Sequence, residues 1–203
     1  MKIQTTLGTL IHTNNYIVGD DKDVVIIEAS ANVRDIKTLV AGRKVHAIFI
    51  THGHWDHAIN VDELQKELKA KVYLSEKAYE KITSKQPHFR FDKVVGSNLT
   101  KDQCVFLEEK EYDFKFIKLK CIFTPGHTNC SICLLNEENN ILFSGDTLFY
   151  QTYGRIDLPT SSIVDMKNSL NKLMQLNLET VVYPGHGYLT KLINEQNLLE
   201  DFN

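Results

Sequence analysis

Apolar and polar positions along the chain follow two different periods, and together they predict strands and helices in a repeated order. Short apolar runs predict strands, the clearest being VVIIEAS at residues 24–30 and KVHAIFIT, which ends at Thr51. The stretch INVDELQKELKA instead has helical spacing, with Leu64 and Leu68 four residues apart. The pattern favours strands followed by helices, repeated along the chain.

The same periodicities predict elements along the rest of the chain. The predicted strands cover residues 1–7, 9–19, 23–28, 44–51, 71–75, 103–107, 112–120, 121–124, 130–136, 141–144 and 180–185. The predicted helices cover residues 32–41, 59–70, 75–82 (with Ser75 as N-cap), 164–176 and 190–199. Residues 137–140, EENN, read as a turn. No linker or strict repeat divides the chain, so we predict one α/β domain over residues 1–203, with sheets inside and helices outside.

Residues 84–98 show no clean period and are predicted to form a surface loop. The segment contains Phe89, Arg90 and Phe91, and a long loop with exposed aromatic side chains can also act as a lid over a pocket. Both readings stay open, with the surface loop favoured.

Composition narrows the class of protein. The 203 residues are 42% apolar and 24% charged, which is ordinary for a globular protein with a full core. The net charge of −3 and the dispersed Lys and Arg residues argue against nucleic acid or an anionic membrane as a partner. No apolar run approaches the length of a membrane span, and the N-terminus lacks the apolar core of a signal peptide. We therefore expect a cytoplasmic protein.

Two of the four cysteines form a C-x-x-C pattern, CSIC, which could indicate redox chemistry. The pattern lies in the apolar run NCSICLLN, which reads as a strand, so Cys130 and Cys133 would point to opposite faces. It does not open a helix, where a reactive thiolate would be stabilised. We interpret these cysteines, with Cys104 and Cys121, as free and buried.

Four apolar strands each end in residues of the kind that bind metals. AIFIT runs into HGHWDH, CIFTPG into His127, ILFSG into Asp146, and VVYPG into His186. Glycine directly precedes the last three ligands and allows the backbone to turn sharply there. If the strands align, their ends meet at one edge of the sheets and seven side chains share a pocket. The seven are His52, His54, Asp56, His57, His127, Asp146 and His186.

Seven ligands suit two metal ions better than one. Imidazole and carboxylate ligands favour zinc, with iron or manganese as alternatives, and no cysteine occupies a candidate ligand position. We predict that one ion is held by three histidines and the other by a second group, with Asp146 as the bridge. The first group is His52, His54 and His127, and the second is Asp56, His57 and His186. Each ion would keep an open position for a water molecule, as catalytic sites do.

These residues resemble the signature of the metallo-β-lactamase-fold hydrolases. The H-x-H-x-D-H motif of that family stands here as HGHWDH, followed by PGHT, SGDT and PGHG around the later ligands. The resemblance covers nearly the whole chain. It implies a four-layer αβ/βα sandwich, in which two central sheets are flanked by helices and the metals lie at one edge.

Within that family the chain is most similar to the short glyoxalase II-like enzymes, through PGHTNCSICLL, FSGDTLF, GRIDLP and YPGHGYLTKLINEQNL. The resemblance implies a hydroxyacylglutathione hydrolase, with a small-molecule thioester such as a glutathione conjugate as substrate. A hydroxide bridging the two ions would attack the thioester carbonyl and thiolate would leave. Asp56 and Asp146 would then be catalytic, since they hold the ions and can accept a hydrogen bond from the hydroxide.

The resemblance also implies a basic residue near the substrate at GRIDLP. Arg155, aided by Tyr153, could meet a substrate carboxylate, or Arg155 could simply pair with Asp157. We expect Trp55 to pack under the turn formed by HGHWDH rather than to line the pocket. Tyr150 is expected to be a packing residue. The other histidines, His12, His46 and His88, read as structural or surface residues.

Three other functions remain open. Persulfide dioxygenases resemble the chain at the GR-D stretch and use one iron with oxygen. A phosphodiesterase or ribonuclease of the same fold is disfavoured because the chain lacks a basic stripe. A non-catalytic metal-binding protein is disfavoured because the ligand set is intact. The lactamases with a cysteine ligand are also disfavoured, because Asp146 stands where they have the cysteine.

Overall fold

The fold consists of two six-stranded sheets packed face to face, as seen in a computed structural model that describes residues 1–86 and 93–202. The strands are β1 (Lys2–Leu7), β2 (Asn14–Gly19), β3 (Asp23–Ile27), β4 (Lys44–Phe49), β5 (Lys71–Leu74), β6 (Cys104–Phe106), β7 (Glu111–Asp113), β8 (Lys118–Phe123), β9 (Ile132–Asn136), β10 (Ile141–Gly145), β11 (Leu148–Phe149), β12 (Thr152–Tyr153), β13 (Val181–Pro184) and β14 (Thr190–Lys191). The α-helices are α1 (Val33–Val40), α2 (Trp55–Ala58), α3 (Val61–Leu68), α4 (Glu76–Thr83) and α5 (Ile163–Leu173). Short 3-10 helices cover Lys101–Gln103 and Glu137–Asn139, and a longer one covers Leu192–Phe202.

The first sheet has the order β1-β2-β3-β4-β5-β6, and the second has the order β14-β13-β10-β9-β8-β7. In the first sheet β3 to β6 run parallel, whereas the second is antiparallel except for the pair β10 and β13. Parallel neighbours place their carboxyl ends at the same edge of a sheet. Loops that follow β3, β4, β10 and β13 therefore start at common edges.

Three apolar clusters hold together four layers of helices and sheets. The middle cluster lies between the sheets, where the Tyr16 and Phe143 rings are 5.3 Å apart between centroids and Phe49 is fully buried. A second cluster joins the outer face of the first sheet to α1, α3 and α4, and a third joins the second sheet to α5. Each fully buried large apolar side chain stabilises the fold by about 1.5–3 kcal/mol. The layer order helix, sheet, sheet, helix confirms the predicted sandwich.

Local signals fix several helix ends. Ser75 caps α4 by accepting a hydrogen bond from the Ala78 N–H at 3.3 Å, which confirms the predicted N-cap. Asn32 and Ser162 accept equivalent bonds at the starts of α1 and α5. The predicted turn at residues 137–140 is also confirmed, as a 3-10 turn that ends at Asn140 with a positive φ of 52°.

Three predicted elements were wrong in extent. The strand predicted at 9–19 begins at Asn14, because residues 8–13 form a turn closed by the Gly8 N–H donating to the Thr13 carbonyl at 2.7 Å. The strand predicted at 112–120 is interrupted by a turn in which the Phe114 N–H donates to Ile117. The final predicted helix begins with the two residues of β14 and continues as 3-10 helix.

Part of the predicted loop at 84–98 lies outside the described residues, including His88, Phe89, Arg90 and Phe91. Its described ends form neither helix nor strand, and the Ser97 N–H donates to the Ile82 carbonyl at 2.8 Å. Whether this segment covers a pocket stays a prediction. Across the described ranges, no helix combines the length and apolar character needed to cross a membrane.

Candidate metal centre

The ligand-type residues meet where the carboxyl ends of strands from both sheets come together. Four of them follow β4, on the turn at residues 50–54 and on the short helix α2. The other three follow β8, β10 and β13 of the second sheet, one on each loop. Both halves of the fold therefore contribute to one site, whose members are His52, His54, Asp56, His57, His127, Asp146 and His186.

The first group contains three imidazoles. Nδ1 of His54 lies 3.0 Å from Nε2 of His52 and 2.9 Å from Nε2 of His127. All three side chains are buried, and their ligand atoms lie within 4.8 Å of one another. Three ring nitrogens cannot all satisfy one another by hydrogen bonding, because a neutral imidazole carries only one N–H. Their lone pairs instead suit a shared cation.

The second group combines one carboxylate with two imidazoles. Nε2 of His186 lies 3.2 Å from Oδ2 of Asp56 and 3.3 Å from Nε2 of His57. Nε2 of His57 lies 3.5 Å from the same Asp56 oxygen. The ligand atoms of these three residues also lie within 4.8 Å of one another.

Asp146 stands between the two groups. One of its carboxylate oxygens lies 3.5 Å from Nε2 of His127 and 3.7 Å from Nε2 of His186, and the other lies 3.3 Å from Nε2 of His57. A fourth contact, at 4.0 Å, joins the first of these oxygens to Nε2 of His52. This carboxylate therefore touches imidazoles of both groups, which is the position that a bridging ligand requires.

Burial keeps the first group neutral. Burial, reinforced by His57, lowers the pKa of His52 well below its usual value, and burial together with His127 lowers the pKa of His54 to about 3. Burial also lowers the pKa of His127. Neutral imidazole is the form that binds metals, so these side chains are ready as ligands at neutral pH.

The second group attracts positive charge. Burial opposes charge on His57, but the carboxylates of Asp146, Glu28 and Asp56 outweigh it and raise its pKa well above the usual value. The pKa of Asp146 lies below its ordinary range because His57 and other imidazoles outweigh the effect of burial. The same field that holds a proton here favours a metal cation in its place.

An unsatisfied buried atom supports this fit. Oδ1 of Asp146 is buried and accepts no hydrogen bond. A buried polar atom without a partner is costly, so such an atom in a native fold calls for an ion or a water molecule. The donor set of imidazoles and carboxylates matches divalent zinc, iron or manganese.

A second layer of contacts surrounds three of the imidazole rings. The Thr51 hydroxyl donates to Glu28 at 2.5 Å and lies 3.1 Å from Nδ1 of His52. Nδ1 of His127 donates to the carbonyl of Arg155 at 3.0 Å. Oε1 of Glu28 lies 3.2 Å from Nδ1 of His57 without forming a hydrogen bond, so it acts on that ring through its charge. Hydrogen-bond partners fix the ring orientation and direct the other nitrogen toward a metal.

Glu28 is a site residue that the sequence analysis missed. It is buried with a positive φ of 72°, an unusual conformation for a residue other than glycine. A signal was present, because Glu28 ends the apolar run VVII just as the predicted ligands end theirs. The Glu28 carboxylate reaches His57 only through tertiary packing. Its place at the end of an apolar run was therefore not enough to predict its role.

The candidate substrate residues lie beside the cluster in different environments. The Arg155 guanidinium makes two hydrogen bonds to Asp157, at 2.9 and 2.8 Å, and both side chains are exposed. The Tyr153 ring packs 5.1 Å from that of Phe202. Trp55, expected to pack beneath the turn formed by HGHWDH, is half-buried and lines a small cavity next to Asp56.

The cysteines have structural surroundings. All four are free and buried, and burial raises the pKa of each thiol. Cys130 Sγ accepts a hydrogen bond from the Gly53 N–H at 3.3 Å, which anchors the turn between His52 and His54. Cys133 lies within β9, where its thiol donates to the Ser144 carbonyl at 3.5 Å. These contacts support the structural interpretation of the CSIC pattern.

Gly185 permits the close approach of two ligands. A Cβ at this position would overlap Oδ1 of Asp146 and would lie 2.8 Å from Cε1 of His57. We expect Gly185→Ala to weaken metal binding by more than about tenfold, because it displaces ligands rather than only their supports. Competition titrations with a chelator measure the change.

Gly42→Ala is the matched control, since a Cβ there meets nothing within 4 Å although φ is +79°. It should cost roughly 1–2 kcal/mol of stability through backbone strain and leave metal affinity nearly unchanged. Equal metal affinities for the two variants would contradict the role of Gly185.

We also expect Asp146→Asn to lose bound metal. The substitution keeps the size of the side chain but removes the charge that contacts both groups, so affinity should fall by more than about tenfold. Elemental analysis after gel filtration measures the metal content, with the exposed Asp157→Asn as a control. A variant that keeps the full wild-type metal content would exclude Asp146 as a ligand.

Comparison with known proteins places this site in a family. Residues 8–186 match the model of the Metallo-beta-lactamase superfamily. A probable metallo-hydrolase of Streptococcus pyogenes is 28% identical, over 97% of this chain and 88% of that protein. Hydroxyacylglutathione hydrolase of Francisella tularensis is 26% identical, over 90% of this chain and 66% of that enzyme.

Solved structures agree. BLEG-1, described as a B3 metallo-beta-lactamase, superposes with a TM-score of 0.83 and 26% identity over 97% of both chains. TTHA1623, solved in a di-iron-bound form, has a TM-score of 0.79 and 27% identity, over 94% of this chain and 96% of that one. With its four-layer sandwich and its cluster of histidines and aspartates, the chain belongs to the metallo-beta-lactamase superfamily.

Proposed function

We propose that this chain is a dinuclear metal-dependent thioester hydrolase whose reaction is the hydrolysis of a hydroxyacylglutathione. One observation carries the proposal of two ions: the Asp146 carboxylate lies within 4.0 Å of imidazole nitrogens from both ligand groups. The solved di-iron form of TTHA1623 supports it.

Two divalent cations held here would lower the pKa of a water molecule to about 7 and polarise a carbonyl oxygen. Zinc is the first choice, with iron or manganese as alternatives. The chain itself supplies the ligands in two groups and keeps most of them buried away from solvent. The carboxylates of Asp56 and Asp146 are hydrogen-bond acceptors, so they can also orient the attacking water.

A thioester substrate is supported by chemistry and by resemblance. Thiolate is a good leaving group, so cleavage of a thioester requires no strong proton donor. The motifs around His127, Asp146 and Arg155 resemble those of glyoxalase II-like enzymes, and a hydroxyacylglutathione hydrolase is among the relatives. The substrate class is carried over from this likeness.

Hydrolysis of β-lactams is the second candidate function. The likeness to BLEG-1 over 97% of both chains is the observation that favours it. Asp146 distinguishes the chain only from lactamases that have a cysteine at this position. A lactam has an amine leaving group, which needs a proton, whereas a thiolate does not.

We propose Arg155 as a contact for a substrate carboxylate. Its backbone carbonyl accepts a hydrogen bond from His127, so the residue adjoins the metal cluster. Its guanidinium is paired with Asp157 at the surface, where an ion pair contributes little and can be exchanged. A carboxylate on the substrate can therefore replace Asp157. Tyr153, two residues earlier, is proposed to assist.

The proposed activity predicts that purified protein holds two equivalents of divalent metal and hydrolyses S-D-lactoylglutathione. We expect kcat/KM above about 10⁴ M⁻¹s⁻¹, within the usual range of enzymes acting on their own substrates. Elemental analysis and thiol release measured on the same sample test this. Faster cleavage of a β-lactam would favour the second candidate, and one iron with oxygen uptake would identify a dioxygenase instead.

Arg155→Ala should raise KM for S-D-lactoylglutathione by about tenfold, the effect of losing one charged hydrogen bond, while kcat changes little. Asp157→Asn is the matched control and should lower KM, because it releases the guanidinium for the substrate. Steady-state kinetics measure both constants. Wild-type KM in Arg155→Ala would refute the assigned contact.

A further inference from the structure

The segment that carries His186 is held from the opposite sheet. Asn14, the first residue of β2, donates through Nδ2 to the Pro184 carbonyl at 3.0 Å and to the Gly187 carbonyl at 3.1 Å. Its backbone N–H donates to the Gly185 carbonyl at 2.7 Å. One residue of the first sheet therefore binds three of the four carbonyls of residues 184–187, on both sides of His186.

Tyr16, two residues further along β2, adds a bond to the same segment. Its hydroxyl donates to the Pro184 carbonyl at 2.6 Å. Asn14 and Tyr16 are both buried, so these bonds are shielded from competing water. The contacts connect the first sheet to the His186 segment, defined as residues 184–187.

His186 depends on its backbone more than the other oriented histidines do. His52 and His127 each have a hydrogen-bond partner at Nδ1, which turns the ring toward the metal site, and Nδ1 of His57 faces the buried carboxylate of Glu28 at 3.2 Å. In the described part of the chain, no hydrogen bond reaches Nδ1 of His186, and its side chain is 28% exposed. Its position must therefore be set largely by the backbone on either side.

We propose that Asn14 is a positioning residue for His186. By holding the carbonyls of Pro184 and Gly187, it fixes the two ends of the His186 segment and thereby places Nε2 beside Asp56 and His57. The inference rests on the proposed two-metal centre and deepens it, because it assigns a supporting residue to one metal and not the other. In this role Asn14 acts through the backbone of the His186 segment.

The test compares metal affinities in a thermodynamic cycle. Apo forms of the wild type, Asn14→Ala, His186→Ala and the double variant are titrated with Co²⁺ against a chelator, and visible absorbance follows each equivalent. Asn136→Ala serves as the matched control. Its buried side-chain amide likewise donates to a backbone carbonyl, that of Lys118 at 2.8 Å, but belongs to a distant part of the second sheet.

The weakened binding in His186→Ala shows which of the two bound Co²⁺ ions depends on His186. Asn14→Ala should weaken that equivalent by about 10- to 100-fold, the range for residues that orient metal ligands, and leave the other within about twofold. The double variant should bind no more weakly than His186→Ala, because a residue that acts through His186 has no further effect once His186 is gone. Asn136→Ala should bind both equivalents like the wild type.

The proposal is overturned if Asn14→Ala binds as the wild type does, if it weakens both equivalents alike, or if its effect persists in full in the double variant. If Asn14→Ala does not fold, Asn14→Leu decides, since it keeps much of the side-chain volume but removes the amide bonds to Pro184 and Gly187. It should weaken the same equivalent, and wild-type affinity would overturn the proposal. A wild type that binds one equivalent contradicts the two-metal centre, while comparison with His186→Ala still decides the role of Asn14.

Discussion

Crowding of imidazole nitrogens and carboxylate oxygens is the constraint on which the rest of this structure depends. Imidazole nitrogens lie as close as 2.9 Å to one another, and the Asp146 carboxylate lies between them with one oxygen unsatisfied. Lone pairs held so close, in a site shielded from water, favour a cation among them. The surrounding fold can be understood as the framework that keeps these groups together.

That framework divides the work between the two sheets. The first sheet supplies the turn after β4 and the supporting Glu28, and the second supplies His127, Asp146 and His186 from three loops. The site therefore exists only where the sheets are correctly packed. The apolar layer around Phe49 and Phe143 sets the separation of the sheets. The hydrogen bonds from Asn14 join the first sheet to the loop that follows β13. Packing and metal binding are thus linked properties.

Much of this could be predicted from the sequence because the informative patterns are local. Apolar runs that end in histidine or aspartate mark strands and their carboxyl ends, and the spacing within HGHWDH predicts a turn that carries candidate metal ligands. The predictions failed where backbone turns interrupt an apolar pattern, as at residues 8–13 and 114–117. They also failed at the C-terminus, where Thr190 and Lys191 pair with β13 instead of starting a helix.

Supporting residues were harder to predict than ligands. The roles of Glu28 and Asn14 depend on which carbonyls and rings lie opposite them, and those partners are up to 173 residues away in sequence. Arg155 shows the same difficulty. Its surface ion pair with Asp157 does not identify the group that it would bind in a substrate. Residue type and spacing indicate chemistry, whereas positioning emerges only from the packed fold.

The central claim is that side chains from both sheets surround two cations with Asp146 between them. Anomalous diffraction from crystals grown with zinc tests it most directly. The account predicts two peaks, one among His52, His54 and His127 and the other among Asp56, His57 and His186, with Asp146 in contact with both. A single peak, or peaks away from these side chains, would contradict it.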